Sequence, residues 1–292
     1  MKHLLTIFSI TMLVLLQAQN ANCQILVAAK MSKKQYVAYE DVKLSVTMTN
    51  RAGQPIDFVN KLRRKWVEFI VERGTGQTVF AVQDAVYAPA RLNTGETKTS
   101  SFRLNNSYDL SQPGNYTAYA IVRMPGQSAQ QGTRSKKVHF TVIKGHASWK
   151  QRAGVPGTPG DTREYRILNV TSNEFTELFV QVEDVKRSKM LATYSMGRNL
   201  AFRDFTATLD NKNRLNVLFL TTPTIYSHTV IDAAGETVRR QYHKKGSGGI
   251  SPKLVTTSSG VVGVINSTPF DLNKQKDLRS QIHNLSELPL GM

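Results

Sequence analysis

An all-β chain in two parts is predicted from three observations. Apolar residues fall on every second position along most apolar stretches, as in Val42-Lys43-Leu44-Ser45-Val46-Thr47-Met48, which is the pattern of a strand with one buried face. Clusters of Gly, Pro, Asn and Asp separate these stretches at short intervals, as turns between consecutive strands do. A Gly/Pro-rich segment near the middle, Gly154 to Thr162, stands between two such runs of strands. The expected organisation is a leader over residues 1–23, a β-sandwich domain over 24–145, a Gly/Pro linker over 146–162, a second β domain over 163–266 and a tail over 267–292.

Lys2 and His3 precede an uncharged run from Leu4 to Leu16, and the chain turns polar from Gln17 to Asn22. This is the layout of a signal peptide, with cleavage expected after Ala21-Asn22-Cys23. Its apolar run is shorter than the roughly 20 residues that span a bilayer, so the mature chain is expected to carry no transmembrane segment. A lipid anchor on Cys23 wants a small residue before the cysteine and an aliphatic one at the third position before it, where this chain has Asn22 and Asn20. Export to a periplasmic or extracellular space follows as the expectation. Because Cys23 is the only cysteine, an intramolecular disulfide, a thiol nucleophile in the mature chain and a cysteine-held metal are all excluded.

In the first domain, strands are expected over Ile25 to Ala29, Tyr36 to Asn50, Trp66 to Glu72, Thr78 to Val82, Thr97 to Leu104, Tyr116 to Met124 and Lys137 to Ile143. Gly53 and Gly74-Thr75-Gly76 supply turns, and Trp66 reads as a core residue at the start of its strand. About seven to nine short strands with turns between them make a Greek-key sandwich. Tyr36 to Ile56 together with Tyr108 to Met124 resembles the macroglobulin-type and related immunoglobulin-like domains of bacterial envelope proteins. The resemblance implies that Leu110, Pro113, Gly114 and Tyr116 form a corner in which the tyrosine is packed inside and its hydroxyl bonds back to the corner backbone. It implies architecture and no chemistry, and the absence of a cysteine in the mature chain excludes a thioester.

In the second domain, strands are expected over Glu164 to Val170, Glu177 to Val185, Lys189 to Ser195, Ala201 to Leu209, Arg214 to Thr221, Tyr226 to Asp232 and Thr237 to Tyr242, with a broken β run from Leu254 to Ile265. The rhythm from Phe205 to Asp232 resembles a blade of the secreted β-propellers. Residues 163–266 hold only about two blades where a propeller needs at least four, so an open sheet, a sandwich or a blade-like arrangement is expected. Asp271 to Leu285 reads as a short helix in the tail.

No Gly-x-Ser-x-Gly elbow, His-Glu-x-x-His site or phosphate loop occurs, and the histidines lack metal-ligand spacing, so no cofactor and no catalytic residue is assigned. Tyr226, His228 and Asp232 share the parity of one strand face, where they form a candidate polar cluster. The stronger signal is charge: 38 Lys and Arg against 21 Asp and Glu give a formal +17. Such an excess governs partners more than fold. The candidate ligand-binding residues are therefore Lys61, Arg63, Arg64, Lys65, Lys186, Arg187, Arg239, Arg240, Tyr242, Lys244 and Lys245, read as basic loops and strand ends, with Tyr226 and His228. The expected function is a secreted, non-enzymatic binding or scaffolding protein. Its partner would be an anionic polysaccharide, lipid headgroups or an envelope protein, and not a specific nucleic acid. The alternatives are a carbohydrate-active or hydrolytic enzyme with its site on the second domain, or an envelope assembly component.

Overall fold

A computed structural model describes residues 24–60, 65–172, 175–200 and 203–271. The predicted leader, the helical tail and residues 61–64 lie outside the described residues. The chain divides between Lys144 and Gly145 into two compact units.

In the first unit the strands are β1 (Ile25–Met31), β2 (Gln35–Val37), β3 (Lys43–Asn50), β4 (Ile56–Phe58), β5 (Val67–Arg73), β6 (Gln77–Val79), β7 (Ala90–Leu92), β8 (Thr97–Arg103), β9 (Gly114–Val122), β10 (Thr133–Arg134) and β11 (Val138–Ile143). One sheet runs β1-β3-β8 and the other β2-β11-β9-β5-β6, with β10 beside β9 and β4 paired to β7. The two sheets form an immunoglobulin-like Greek-key sandwich. After Met31 the chain changes sheet: β1 lies antiparallel to β3, whereas β2 lies parallel to β11. Alternation does what it should, since Leu44, Val46 and Met48 are fully buried between the sheets and the residues between them are only partly covered. Trp66 is a core residue, packed against Phe58 and Phe102, with its ring N–H donated to Ala88 O at 3.1 Å. Tyr116 is buried and donates its hydroxyl to Gln112 O at 2.6 Å, so the expected corner is present.

The second unit begins with β12 (His146–Val155) and β13 (Thr158–Thr171), followed by β14 (Thr176–Asp184), β15 (Lys189–Asn199), β16 (Thr206–Leu209), β17 (Leu215–Leu220), β18 (Ile225–Ile231), β19 (Thr237–Lys245), β20 (Lys253–Thr256), β21 (Val262–Ile265) and β22 (Ser267–Phe270). This corrects the expected linker over 146–162. Val155 pairs with Thr158, and Pro156-Gly157 between them makes a hairpin turn, Pro presetting its own φ and Gly157 taking φ +79°. The tail also begins differently from the expectation, because Ser267–Phe270 is a strand on β19.

Two antiparallel meanders, β12-β13-β14-β15 and β16-β17-β18-β19-β22, have the strand order of blades. They pack face to face, with Tyr165, Ile167, Leu178, Val180 and Val182 meeting Leu215, Val217, Phe219 and Ile231. The hairpin β20–β21 covers the other face of the second meander, where Leu254 and Val264 lie on Leu218, Leu220 and Tyr226.

Candidate functional site

Strand partners in an antiparallel ladder share a face, so the registers of β17, β18 and β19 place the polar residues of the second meander. Leu218 opposes His228 and Leu220 opposes Tyr226, while Tyr226 opposes His243. Asn216, Tyr226, His228 and His243 therefore lie on the face that the β20–β21 hairpin covers. Asn216 Nδ2 donates to Arg214 O, which turns its Oδ1 toward His228 and makes Nε2 of the histidine the protonated nitrogen, at 3.0 Å. His243 Nδ1 meets Ser267 Oγ at 3.1 Å, and its buried Nε2 has no hydrogen-bond partner. The two imidazoles are 6.2 Å apart. Burial pushes the His228 pKa down to about 4, and the positive Arg239 and the neighbouring His243 push the same way. Burial and then Arg239 lower His243 as well. Both rings are held neutral at ordinary pH.

The predicted Tyr226–His228–Asp232 cluster does not assemble. β18 ends at Ile231 after a register shift, and Asp232 caps the following turn, its Oδ1 accepting from the N–H groups of Ala234 and Glu236 at 3.0 and 2.8 Å. Tyr226 accepts from Arg203 Nη1 at 2.7 Å. His228 is buried with Asn216 as its partner, a residue the sequence reading passed over. The available signal was a lone amide inside the apolar run Leu215-Asn216-Val217-Leu218-Phe219.

The basic clusters separate into neutralised and free. Lys61, Arg63 and Arg64 lie outside the described residues; Lys65 binds Asp84 at 2.6 Å. Lys186 and Arg187 sit at the β14–β15 turn as expected, but acids on both sides hold them: Lys186 lies 3.3 Å from Asp161, and Arg187 lies 2.6 Å from Asp184. The hydrogen bond from Arg187 is the largest cause of the lowered Asp184 pKa. Glu164, almost fully buried, joins Arg152 at 2.7 Å and Arg166 at 2.6 Å, and Arg166 continues to Glu183. Burial works to raise the Glu164 pKa, yet the two arginines hold it below the usual carboxylate value.

Arg239, Arg240, Lys244 and Lys245 are different. They lie along β19 rather than on a loop, are exposed, and form no ion pair among the described residues. Tyr242 is half-buried between them, and Lys244 Nζ stands 4.4 Å from the Phe270 ring. A rise of about 3.4 Å per residue puts Arg240 and Lys244 roughly 13 Å apart on one side of a fixed strand, with Arg239 and Lys245 on the other. The four cations thus form two pairs on opposite faces, each pair spaced too widely for a single small anion and suited to a repeating one. Sequence alone marked these residues but could not separate them from Lys186, whose neutralising Asp161 is distant in the chain, or from Arg187, whose nearby Asp184 reaches it only through the turn between β14 and β15.

An all-β protein of two units, with a basic strand left unneutralised among the described residues, is what the fold and charges define. No known protein family matches the sequence, and no curated protein does. Among solved structures, the sporulation control protein Spo0M of Bacillus subtilis is similar at a TM-score of 0.27 and 9% identity, over 59% of this chain and 91% of that one. Among the described residues no group of three or more His, Cys, Asp or Glu is placed to hold a metal ion, and no helix is long and apolar enough to cross a membrane.

Proposed function

We propose that this chain is an exported, non-enzymatic binding or scaffolding protein that holds a polyanionic envelope or extracellular partner through β19. The observation that carries the reading is the set Arg239, Arg240, Lys244 and Lys245, two on each face of a paired strand, exposed and without ion-pair partners among the described residues. Cations left unneutralised on a paired strand keep their full attraction for an anion, and binding orders their side chains without also having to order a loop backbone. The leader pattern of residues 1–23 supports export. The Tyr116 corner and the sandwich topology support a first unit of the macroglobulin-type or related envelope modules, acting as the carrier of the binding unit.

The test is retention of residues 24–292 on envelope polysaccharide and on anionic vesicles over a salt series. The variant Arg239→Glu/Arg240→Glu/Lys244→Glu/Lys245→Glu is compared with one that reverses Lys43, Lys98, Lys136 and Lys189, which changes net charge equally. Elution of the β19 variant at clearly lower salt than the control variant is expected. Equal losses would leave only diffuse attraction of a basic protein and sink the proposal.

A further inference from the structure

The first unit carries a groove of about 920 Å³ at the flank of its sandwich, lined by Ala29, Lys30, Lys34, Tyr116, His139 and Phe140 among others. Two strand edges border it. β1 is the outermost strand of its sheet, so the backbone groups it does not share with β3 have no ladder partner. On the other side, β2 accompanies β11 only along Thr141–Ile143. Thr141 donates its N–H outward to Lys34 O at 2.9 Å, and in a ladder the outward groups recur at every second residue. His139 therefore directs its N–H and C=O to the same side, where no strand lies among the described residues.

Packing along this flank is incomplete in the same place. Val27, Ala29 and Val138 pack against the core but remain only partly buried, while Ile25, Met31 and Phe140 beside them are buried. Tyr116 and Phe140, stacked on each other at 5.3 Å and 12°, are buried beneath this flank and floor it, so the apolar surface still open to a partner is that of Ala29 and Val138. Lys33 is bound to Glu40, but Lys30 and Lys34 are exposed and without an ion pair among the described residues.

We propose that this flank takes an extended segment of a protein partner in which aliphatic and acidic residues alternate. The segment pairs by its backbone with His139 and the β1 edge and sends aliphatic side chains over the half-covered Ala29 and Val138, while its carboxylates meet Lys30 and Lys34. A strand alternates its side chains between two faces, so one added strand satisfies the open ladder, the half-covered apolar residues and the free lysines together. The site is separate from β19 and stands whether or not β19 binds an anion.

The experiment titrates residues 24–292 with a labelled peptide of about ten alternating valine and glutamate residues, a usual strand length. Its controls are the same peptide N-methylated at alternate amides and polyglutamate of equal length. Binding of the first peptide alone is expected, with amide-exchange protection appearing at His139 and along β1. Lys30→Glu/Lys34→Glu, which touches only exposed side chains, should weaken it about tenfold or more, and the β19 variant should leave it unchanged. The proposal is overturned if the N-methylated peptide or polyglutamate binds as well, if protection falls on β19, or if no peptide binds while the thermal transition shows a folded chain.

Discussion

His228 Nε2 donates to Asn216 Oδ1 at 3.0 Å beneath the β20–β21 hairpin, in a layer where His243 also lies. A buried neutral imidazole makes stability depend on pH. The folded-state pKa of about 4 is below the ordinary 6.5, so between these values the unfolded chain takes up a proton that the folded chain refuses. His228 therefore contributes its stability fully above pH 6.5, and the contribution is lost as pH falls toward about 4. The full shift corresponds to ~3 kcal/mol as an upper figure. Urea unfolding at pH 7.5 and at pH 4.5, followed by Trp149 fluorescence, should show the second unit losing stability on acidification, and His228→Gln should flatten that loss. An unchanged slope in the variant would place the titration elsewhere.

What could be read along the chain was whatever depends on near neighbours. Strand alternation placed Leu44, Val46 and Met48 inside, and the resemblance carried by Leu110, Pro113, Gly114 and Tyr116 implied a corner with its hydrogen bond. Partners far apart in sequence were not legible. Pro156-Gly157 looks the same in a linker and in a hairpin turn, and what decides is that Ala153 finds Arg163 and Trp149 finds Ile167 across the ladder. Parity put Tyr226 and His228 on one face but said nothing of the hairpin 253–265 that covers it. The groove beside β1 is not legible in the sequence because it arises where the chain leaves one sheet for the other, between Met31 and Gln35.

Tyr116→Phe isolates the corner hydrogen bond. The phenyl ring keeps the stack on Phe140, so burial is nearly unchanged and the loss falls on the 2.6 Å bond to Gln112 O, whose carbonyl is left without that donor. A cost of about 1 to 2 kcal/mol is expected for the first unit. Trp66, in the same core, reports it as a lower urea midpoint with an unchanged slope, while the Trp149 transition stays where it was. A midpoint shift below measurement would mean that the corner is held by packing alone.

Gly235 is where the turn between β18 and β19 presses on the neighbouring sheet. It adopts φ +86°, and a Cβ built on it would lie 2.4 Å from Ala192 Cβ and 3.4 Å from Val182 Cβ, two residues that are themselves strand partners. Gly235→Ala thus incurs a left-handed backbone cost of ~1 to 2 kcal/mol and a steric cost of similar size, together about 2 to 4 kcal/mol. The two parts can be told apart. Ala192→Gly removes the atom that is struck but leaves the backbone conformation alone, so the double variant Gly235→Ala/Ala192→Gly should recover the steric part and not the backbone part. Relative to the single variants, a favourable coupling of about 1 kcal/mol or more in Trp149-detected unfolding is expected. Additive effects would mean that the turn withdraws from the β14–β15 sheet when a side chain is added, and that the close approach of the two sheets at this point is not required.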